Sequence, residues 1–354
     1  MKKLISRLSD WYHWPFYLFY SPLFFVWCKY ILKSRAIWFF STSNPRLTFG
    51  AFEGESKKEM YETLPVSYFP KTIYIKAAEP LQEVESKIQN AQFSYPFIVK
   101  PDVGMEAILF RKIDSCRYLG YYHRNMPVDY LIQEFVDYPM EIGLFYYRYP
   151  TEKSGVISAL FEKRYPAIKG DGISTIRQIA QKQKTSITEE LLKLDDTQLD
   201  RVLEKNEVLN LSFVGNRYHG ATFHDLSDQI DEKLLKMFDE ISHASLFYYG
   251  RYDIKCTSID DLKAGRNFSI LEFNGAGSIP NHIYTGKYSM WQAYKEISKH
   301  WQILYRISRY NNRQGLPYWN VIKGTRFLAS AKLHFRFLRK CDKKLVLRSS
   351  SAAV

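Results

Sequence analysis

The chain has 354 residues, 46% of them apolar by type, which is enough to build two or three packed subdomains and excludes a short peptide or a disordered tail. Lysine and arginine number 50 against 37 acidic residues, so the net charge is +13 and the expected partners are anionic: nucleotide phosphates, nucleic acid or an acidic membrane face. The cysteines are scattered without metal-ligand spacing, which predicts reduced thiols in a cytosolic protein and excludes a disulfide framework or a cysteine-ligated zinc site.

The first 40 residues differ in composition from the rest of the chain. The run from Trp11 to Cys28 has no formal charge, contains two prolines and is rich in Trp and Tyr, and basic residues flank it on both sides. A spanning helix needs about 20 apolar residues, and Trp and Tyr prefer the headgroup level, so the run predicts an interfacial or re-entrant anchor at an anionic cytoplasmic leaflet. The alternative is an aromatic-rich helix buried against the protein's own core. No small-residue cleavage site follows, which argues against a signal peptide.

From about residue 41 the pattern is that of a protein with mixed helices and strands. A glycine-punctuated loop leads at Ser56 into a short helix with Lys57 and Lys58 in its first turn, a junction of the kind that can hold phosphate. Strands are predicted at 71–75, 95–101, 130–136, 141–149, 154–168, 251–256 and 268–274. Further helices are predicted at 81–91, 174–183, 188–205, 231–245 and 289–310. Because strands and helices are interleaved and antiparallel pairs are expected, the class is α+β or α/β in several lobes.

Acidic side chains close two neighbouring strands near the C-terminal third of the chain. The stretch GRYDI contains Arg251 and Asp253, and the stretch LEFNGAGS contains Glu272 and Asn274. Adjacent strands can aim two carboxylates at one point, and an amide oxygen completes a hard-oxygen site for Mg²⁺ beside nucleotide phosphates. Arg251 lies on the same strand face as Asp253 and can stabilise charge on those phosphates. Any one of these residues alone would be an ordinary polar strand end, whereas all four together predict a phosphoryl-transfer site.

Two features upstream complete this pattern. Lys100 ends an apolar strand directly before Pro101, where a lone lysine would be read as a solvated strand end. The segment Gln133 to Val136 follows another buried strand, and its backbone could pair with an adenine edge. Glu141 comes seven residues after Glu134, a suitable place for an acid that binds ribose hydroxyls.

In this order of residues the sequence resembles the ATP-grasp superfamily over roughly residues 55–290. GRYDI with LEFNGAGS look like the metal-binding strands of D-alanine–D-alanine ligases. The stretches RYPAIKGDGISTIRQI and NRYHGATFHDLSDQID are similar to parts of cyanophycin synthetase and related peptide ligases. The resemblance implies an α+β ATP-grasp fold, in which two α/β lobes hold ATP between them. It also implies ATP and Mg²⁺ as cofactors, with two ions expected, and a reaction in which a carboxylate forms an acyl phosphate that an amine then displaces.

The resemblance also implies roles for individual residues. Lys100 corresponds to the lysine on the nucleotide phosphates, and either Lys57 or Lys58 to the earlier phosphate lysine. Arg251 corresponds to the phosphate-stabilising arginine, so Arg251 and Lys100 are the candidate catalytic residues. The adenine hinge is Gln133, Glu134, Phe135 and Val136, the ribose acid is Glu141, and the metal ligands are Asp253, Glu272 and Asn274.

Two departures from the family pattern limit these assignments. The loop KPDVGMEAILF after the phosphate lysine contains only Gly104 where more glycine is expected, and a backbone with fewer glycines approaches phosphate less readily. The acceptor-side residues of D-alanine–D-alanine ligases have no counterpart, so neither substrate is identified. Weaker candidates for substrate contact, each with an ordinary structural alternative, are Arg164, Lys169, Asp171, Asn216, Arg217, His219, Ser278 and His282.

The predicted domain order is a membrane-associating segment over 1–40, a region before the ATP-grasp domain over 41–95, the ATP-grasp domain over 96–320 with its hinged lobe at about 96–165, and a basic tail over 321–354. The tail is expected either to lie on a membrane or to form a solvated helix.

The first functional hypothesis is a cytoplasmic ATP-dependent carboxylate–amine ligase, peripheral or re-entrant at the inner membrane, with a lipid-linked or cell-envelope substrate. The alternative is a non-catalytic nucleotide-binding or scaffold protein with a degenerate ATP-grasp domain. Nucleic acid is not expected as a partner, because no RNP-like or helix-turn-helix pattern accompanies the charge.

Overall fold

The computed structural model describes residues 11, 14–183, 191, 194–212, 215 and 220–351. Within these residues the strands form three sheets, and every strand pair is antiparallel. The first sheet has the order β1-β4-β2-β3, with β1 Thr72–Ile75, β2 Phe97–Pro101, β3 Arg111–Ile113 and β4 Tyr130–Glu134. The second has the order β11-β10-β5-β6-β9, with β5 Met140–Tyr147, β6 Val156–Arg164, β9 Thr222–Asp225, β10 Tyr249–Cys256 and β11 Phe268–Asn274. The third pairs β7 Ala167–Lys169 with β8 Val208–Asn210.

Helices cover these sheets and form both ends of the described chain. They are α1 Phe16–Tyr20, α2 Phe24–Ser34, α3 Lys57–Thr63, α4 Leu81–Asn90, α5 Cys116–Asn125, α6 Ile176–Gln183, α7 Asp196–Leu199, α8 Glu232–Ser245, α9 Ile259–Lys263, α10 Met290–Arg313 and α11 Val321–Ser351. Six of the seven predicted strands are present as single strands, whereas the strand predicted over 154–168 is divided into β6 and β7 of different sheets. The predicted α+β class is confirmed. Strands β3, β8 and β9 and helices α5 and α9 were not predicted.

The prediction of one continuous helix over 188–205 is wrong, because in the described part of that range only Leu191 and Asp196–Leu199 are helical. Asp195 caps a new, short helix, α7: its carboxylate accepts a hydrogen bond from the backbone N–H of Gln198, and its own backbone N–H donates to the side-chain oxygen of Gln198. A capping box of this kind starts a helix. Beyond Leu199 the chain leaves the helix, and Val202 forms a bridge with Thr175.

The sheets divide the chain differently from the predicted hinged lobe of about 96–165. Strand β1 precedes residue 96 yet pairs with β4 in the first sheet, as in Thr72 opposite Gln133. Strands β5 and β6 lie within the predicted lobe but belong to the second sheet, because β5 pairs along its whole length with β10. The connection between β4 and β5 is therefore the crossing point between the two sheets.

The N-terminal helices have one buried and one exposed face. Tyr30 stacks on Tyr305 with ring centroids 4.8 Å apart, and Trp27 packs edge-on against Trp301 of α10 at the same distance. On the other face, large apolar side chains are mostly exposed: Tyr17, Phe24, Phe25 and Leu32. The expected core helix thus describes the buried face, and contact of the exposed face with a membrane stays a prediction. No helix in the described residues combines the length and the apolar character needed to cross a bilayer.

The basic tail forms α11, which packs against the first sheet's lobe. Ala331, Phe335 and Leu338 are buried in the same apolar cluster as Val99 and Leu119. Val321, Ile322 and Leu333 remain exposed. Helix α11 is therefore amphipathic and packs on the protein. The expectation of a solvated helix holds only for its outer face.

A fully buried asparagine joins the loop before α3 to the second sheet. The Nδ2 group of Asn44 donates to the carbonyls of Gly50 at 3.0 Å and Tyr249 at 2.9 Å. Its Oδ1 accepts from the backbone N–H groups of Tyr248 at 2.9 Å and Tyr249 at 3.1 Å. All four hydrogen-bonding positions of the amide are used, so this side chain fixes the loop to the start of β10.

Replacing Asn44 with Ala should lower the free energy of unfolding by at least about 3 kcal/mol, because several buried backbone groups lose their partners at about 1–3 kcal/mol each. Urea unfolding followed by circular dichroism measures this change. Asn90→Ala, at an exposed position at the end of α4, serves as the control and should change stability by less than about 0.5 kcal/mol. Equal stabilities for the two variants would contradict the role given to Asn44.

Candidate active site

A cleft of about 760 Å³ lies between the first and second sheets. It brings together most residues selected from the sequence: Lys57, Lys100, Gln133, Glu134, Phe135, Val136, Glu141, Arg164, Arg251, Asp253, Glu272, Asn274 and Ser278 all line it. Lys58, Asp171 and His282 do not line it. Asn216, Arg217 and His219 lie outside the described residues. The functional roles of these residues stay predictions.

The carboxylate of Asp253 is the centre of a buried ionic network. In the β10–β11 ladder Asp253 lies opposite Glu272, as predicted. Arg251 donates to both oxygens of Asp253, at 2.8 and 3.0 Å, and Lys163 lies 3.0 Å from Oδ1. The amide of Asn274 lies 3.3 Å from Oδ2. Burial raises the pKa of Asp253, but Arg251 and Lys163 outweigh burial and hold that pKa at about 2.

Lys163 is the principal site residue that the sequence reasoning missed. It lies on β6 directly opposite Glu141 of β5, and its Nζ lies 3.0 Å from both Glu141 Oε1 and Asp253 Oδ1. Burial lowers the pKa of Lys163, but attraction to Asp253 and Glu141 outweighs burial and the pKa is raised. The side chain therefore stays charged. A signal was present in the sequence: Ala159, Phe161 and Lys163 share one face of the strand, and a lysine on a buried face requires anionic partners.

Lys100 is buried and bonds uncharged oxygens. Its Nζ donates to the hydroxyl of Tyr61 at 3.2 Å and to the carbonyl of Leu271 at 3.4 Å. This carbonyl is accessible because the β10–β11 register shifts beside Asp253, so Leu271 lies in a bulge. Burial, followed by repulsion from Lys57, lowers the pKa of Lys100 to about 7. The present partners of the Lys100 amino group are weak hydrogen-bond acceptors, so a phosphate group could replace them.

Of the two candidate lysines of α3, Lys57 points into the cleft. Its Nζ lies 3.1 Å from Glu272 Oε1 and donates to the carbonyl of Gly104 at 2.9 Å. Burial lowers its pKa, but Glu272 outweighs that effect and the pKa is raised. Lys58 is exposed and lies 3.7 Å from Glu62.

The N-terminus of α3, which the sequence suggested as a phosphate site, already has an anionic partner. The carboxylate of Asp102 accepts hydrogen bonds from the Ser56 hydroxyl at 2.7 and 2.9 Å and from the backbone N–H of Lys58 at 2.9 Å. A carboxylate satisfies the exposed N–H groups of a helix start as a phosphate would. The junction therefore fixes the turn after Lys100 to α3.

The predicted adenine hinge lies at the crossing between the two sheets. Gln133 donates to the Thr72 hydroxyl at 2.8 Å, and Glu134 donates its backbone N–H to the carbonyl of Lys71 at 2.9 Å. Glu141, the predicted ribose acid, accepts hydrogen bonds from Lys163 and from the hydroxyl of Tyr165. Burial and the charge of Glu141 raise the pKa of Tyr165, so that hydroxyl keeps its proton and donates.

The loop after Lys100 follows a backbone path that usually selects glycine. Glu106, Ala107 and Leu109 have φ of 53°, 57° and 58°. For residues with a Cβ this left-handed region costs roughly 1–2 kcal/mol each. Contacts with α11 offset that cost: Arg339 pairs with Glu106 at 2.9 Å, and Asp342 accepts the backbone N–H of Leu109 at 3.1 Å. The loop reaches its conformation through α11 instead of through glycine.

The weaker substrate candidates are spread over three environments. Arg164 pairs with Glu162 at 2.8 Å on the rim of the cleft. Asp171 accepts from the backbone N–H groups of Ile173 and Ser174, which lowers its pKa to about 2 and identifies it as a turn-forming residue. The hydroxyl of Ser278 is buried and makes no hydrogen bond in the described structure. His282 is buried beneath the cleft wall.

No protein-family model matches the chain, and no curated protein matches it in sequence. Solved structures with a similar fold include D-alanine–D-alanine ligase from Bacillus anthracis complexed with ATP, at 12% identity and a TM-score of 0.41, covering 75% of this chain and 68% of that one. The D-Ala:D-Ser ligase VanG from Enterococcus faecalis has 13% identity and a TM-score of 0.41, covering 71% and 61%. A bifunctional glutathione synthetase from Pasteurella multocida has 13% identity and a TM-score of 0.39, covering 68% and 35%, so the chain spans about a third of that protein.

These likenesses concern the fold alone. Two antiparallel sheets face one cleft, the chain crosses between them after β4, and the cleft collects the residues that carried the resemblance. The ATP-grasp fold stays what the sequence resemblance implies.

Proposed function

We propose that the protein is an ATP-dependent carboxylate–amine ligase that acts at a membrane surface. The observation that supports this proposal is the cleft wall itself. Two opposed carboxylates, Asp253 and Glu272, lie there among the cations Lys57, Lys163 and Arg251. This arrangement suits a phosphorylated ligand, because the cations that now pair with acidic side chains can pair with phosphate oxygens instead.

The residues present fit Mg²⁺. Asp253, Glu272 and Asn274 offer two carboxylates and an amide oxygen, the hard ligands that Mg²⁺ prefers, and the Glu272 side chain is 38% exposed towards the cleft. When bound, the ion would neutralise charge on the phosphates and polarise the γ-phosphate. Arg251 and Lys163 keep Asp253 ionised whether or not an ion is present, because they hold its pKa at about 2.

The proposed reaction has two steps. A substrate carboxylate oxygen attacks the γ-phosphorus, an O–P bond forms, and the bond to the β-phosphate oxygen breaks with ADP leaving. An amine nitrogen then attacks the acyl carbon, a C–N bond forms, and inorganic phosphate leaves as the nitrogen loses a proton. Lys57, Lys100 and Arg251 bind the phosphate oxygens and stabilise the charge that moves between them. Ser278, whose buried hydroxyl faces the cleft, is available to bind the acyl substrate.

The membrane part of the proposal depends on the outer face of the N-terminal helices. Phe24, Phe25 and Leu32 are 62%, 76% and 77% exposed. Lys29 and Lys33 are exposed on α2 beside them. Apolar side chains flanked by lysines suit the boundary of an anionic bilayer, where each lysine adds about 1 kcal/mol of attraction. A lipid-linked or cell-envelope substrate would explain why a ligase carries such a face.

Replacing Glu272 with Gln should slow turnover at least about a hundredfold, because the substitution removes a charge that acts on the transferring phosphate. Release of ADP and phosphate is measured with MgATP and pools of amino acids and envelope precursors. Binding of ATP should also lose its dependence on Mg²⁺ in this variant. Glu85→Gln, on an exposed face of α4, is the control. Near-normal turnover, or unchanged Mg²⁺ dependence, in the Glu272 variant would contradict the assignment.

Replacing Lys100 with Met should weaken binding of ATP at least about tenfold and leave binding of adenosine unchanged, because adenosine has no phosphates. The lysine is half protonated near pH 7, and phosphate favours its protonated form. ATP affinity should therefore fall as pH rises above 7, with proton uptake on binding. Titration calorimetry in buffers of different ionisation enthalpy measures this uptake, which should vanish in the Met variant. Lys58→Met is the matched control, and equal losses for ATP and adenosine in the Lys100 variant would show a structural role instead.

The full chain should sediment with vesicles that contain phosphatidylserine. A triple variant with Ser in place of Phe24, Phe25 and Leu32 should bind at least about tenfold less, since three exposed apolar groups are lost from the contact. The control variant carries Ser in place of Val66 and Ile173, which lie elsewhere on the surface and are 82% and 84% exposed. Sedimentation of the triple variant like the wild type, or a wild type that stays in the supernatant, would rule out this face as a membrane contact.

A further inference from the structure

A second cluster of ligand side chains lies outside the proposed ATP site. His282 belongs to the turn Asn281–Tyr284, and Glu296 and His300 lie one helical turn apart on the facing side of α10. Glu296 Oε1 lies 3.4 Å from His282 Nε2 and 3.1 Å from His300 Nε2. One ligand atom from each residue falls within 4.8 Å of the others.

The cluster is buried, and several of its nitrogens lack partners. His282 and His300 are 2% and 0% exposed. Neither ring nitrogen of His282, nor Nδ1 of His300, has a hydrogen-bond partner among the described residues. The Phe145 ring packs in a T-shaped arrangement against His300, with ring centroids 4.4 Å apart, and Tyr288 packs against His282. Burying imidazole nitrogens without partners costs about 1–3 kcal/mol for each group, so the arrangement calls for a ligand that uses them.

The cluster combines two imidazoles with one carboxylate. Metal ions bind neutral imidazole and ionised carboxylate. Lys299 lies 3.7 Å from the same carboxylate oxygen but is largely exposed and can move away.

We propose that His282, Glu296 and His300 bind a divalent transition-metal ion of the zinc class. Zinc takes imidazole nitrogen and carboxylate oxygen at about 2.0–2.2 Å in a tetrahedral arrangement, which separates neighbouring ligand atoms by roughly 3.3 Å. The observed separations of 3.4 and 3.1 Å match that spacing. Two imidazoles select a transition metal over Mg²⁺, so this site and the carboxylate site of the cleft take different ions.

The ion would fasten the wall of the cleft to α10. Asn281 and Tyr284, on either side of His282 and Ile283, line the cleft, whereas Glu296 and His300 belong to a helix that packs behind it. Three protein ligands leave a fourth position for water, as zinc sites with three ligands do. The site would thus stabilise the position of Asn281 and Tyr284 in the cleft wall.

The test uses the full chain, stripped with a chelator and titrated with ZnCl₂ by calorimetry. The wild type should bind one Zn²⁺ that excess Mg²⁺ does not displace, and its Tm should rise on binding. Co²⁺ in place of Zn²⁺ should give the visible absorption of a tetrahedral ion. Glu296→Gln keeps the size and hydrogen-bonding capacity of the side chain and should lower Zn²⁺ affinity at least about a hundredfold. His243→Gln, on the exposed end of α8, should bind as the wild type does.

Circular dichroism without metal shows whether each variant is folded, and His282→Gln replaces Glu296→Gln if the latter is not. Loss of Zn²⁺ binding in the folded variant, with binding kept in His243→Gln, supports the site. A wild type that binds no Zn²⁺ overturns the proposal. Equal affinity in the wild type and the folded cluster variant also overturns it, because the ion would then be bound elsewhere.

Discussion

The carboxylate of Asp253 is buried at the junction of β10 and β11, and a buried charge is stable only when oppositely charged and hydrogen-bonding groups surround it. Arg251 on the same strand, Lys163 on β6 and Asn274 on β11 meet that requirement. Each of these residues is held in place by the ladder that its strand makes with its neighbours, so the ionic network and the sheet depend on each other. Removing both cations would leave Asp253 unpaired, at a cost of several kcal/mol.

The same region joins the two lobes. The bulge at Leu271 turns a carbonyl of the second sheet towards Tyr61 of α3 and Lys100 of the first sheet. Lys57 connects α3 to Glu272 and to the carbonyl of Gly104. A phosphorylated ligand in the cleft would exchange some of these contacts for its own, so binding and the relative position of the lobes are coupled. Helix α11, which holds the strained loop beyond Gly104, belongs to this arrangement.

The sequence was sufficient to predict most of the strands and to place Asp253 and Glu272 on adjacent strands, because strand alternation and proximity along the chain are local properties. It was insufficient for Lys163, whose partners are set by the register between β5, β6 and β10. It also misjudged the loop after Lys100: the left-handed backbone there is stabilised by α11, more than 200 residues later, and not by glycine. His282 was read alone, and only the fold shows that Glu296 and His300 of α10 face it. The N-terminal segment stayed ambiguous because both of its faces are apolar.

We propose that the cleft binds the triphosphate of ATP and its metal between the two sheets. A crystal structure with Mn²⁺ and a non-hydrolysable ATP analogue would test this binding mode, since anomalous scattering locates the ion. We expect Mn²⁺ among Asp253, Glu272 and Asn274, the phosphates against Lys57 and Lys100, and the adenine at Glu134 to Val136. An analogue bound outside the cleft, or a cleft with Mn²⁺ absent from the three oxygen ligands, would contradict it.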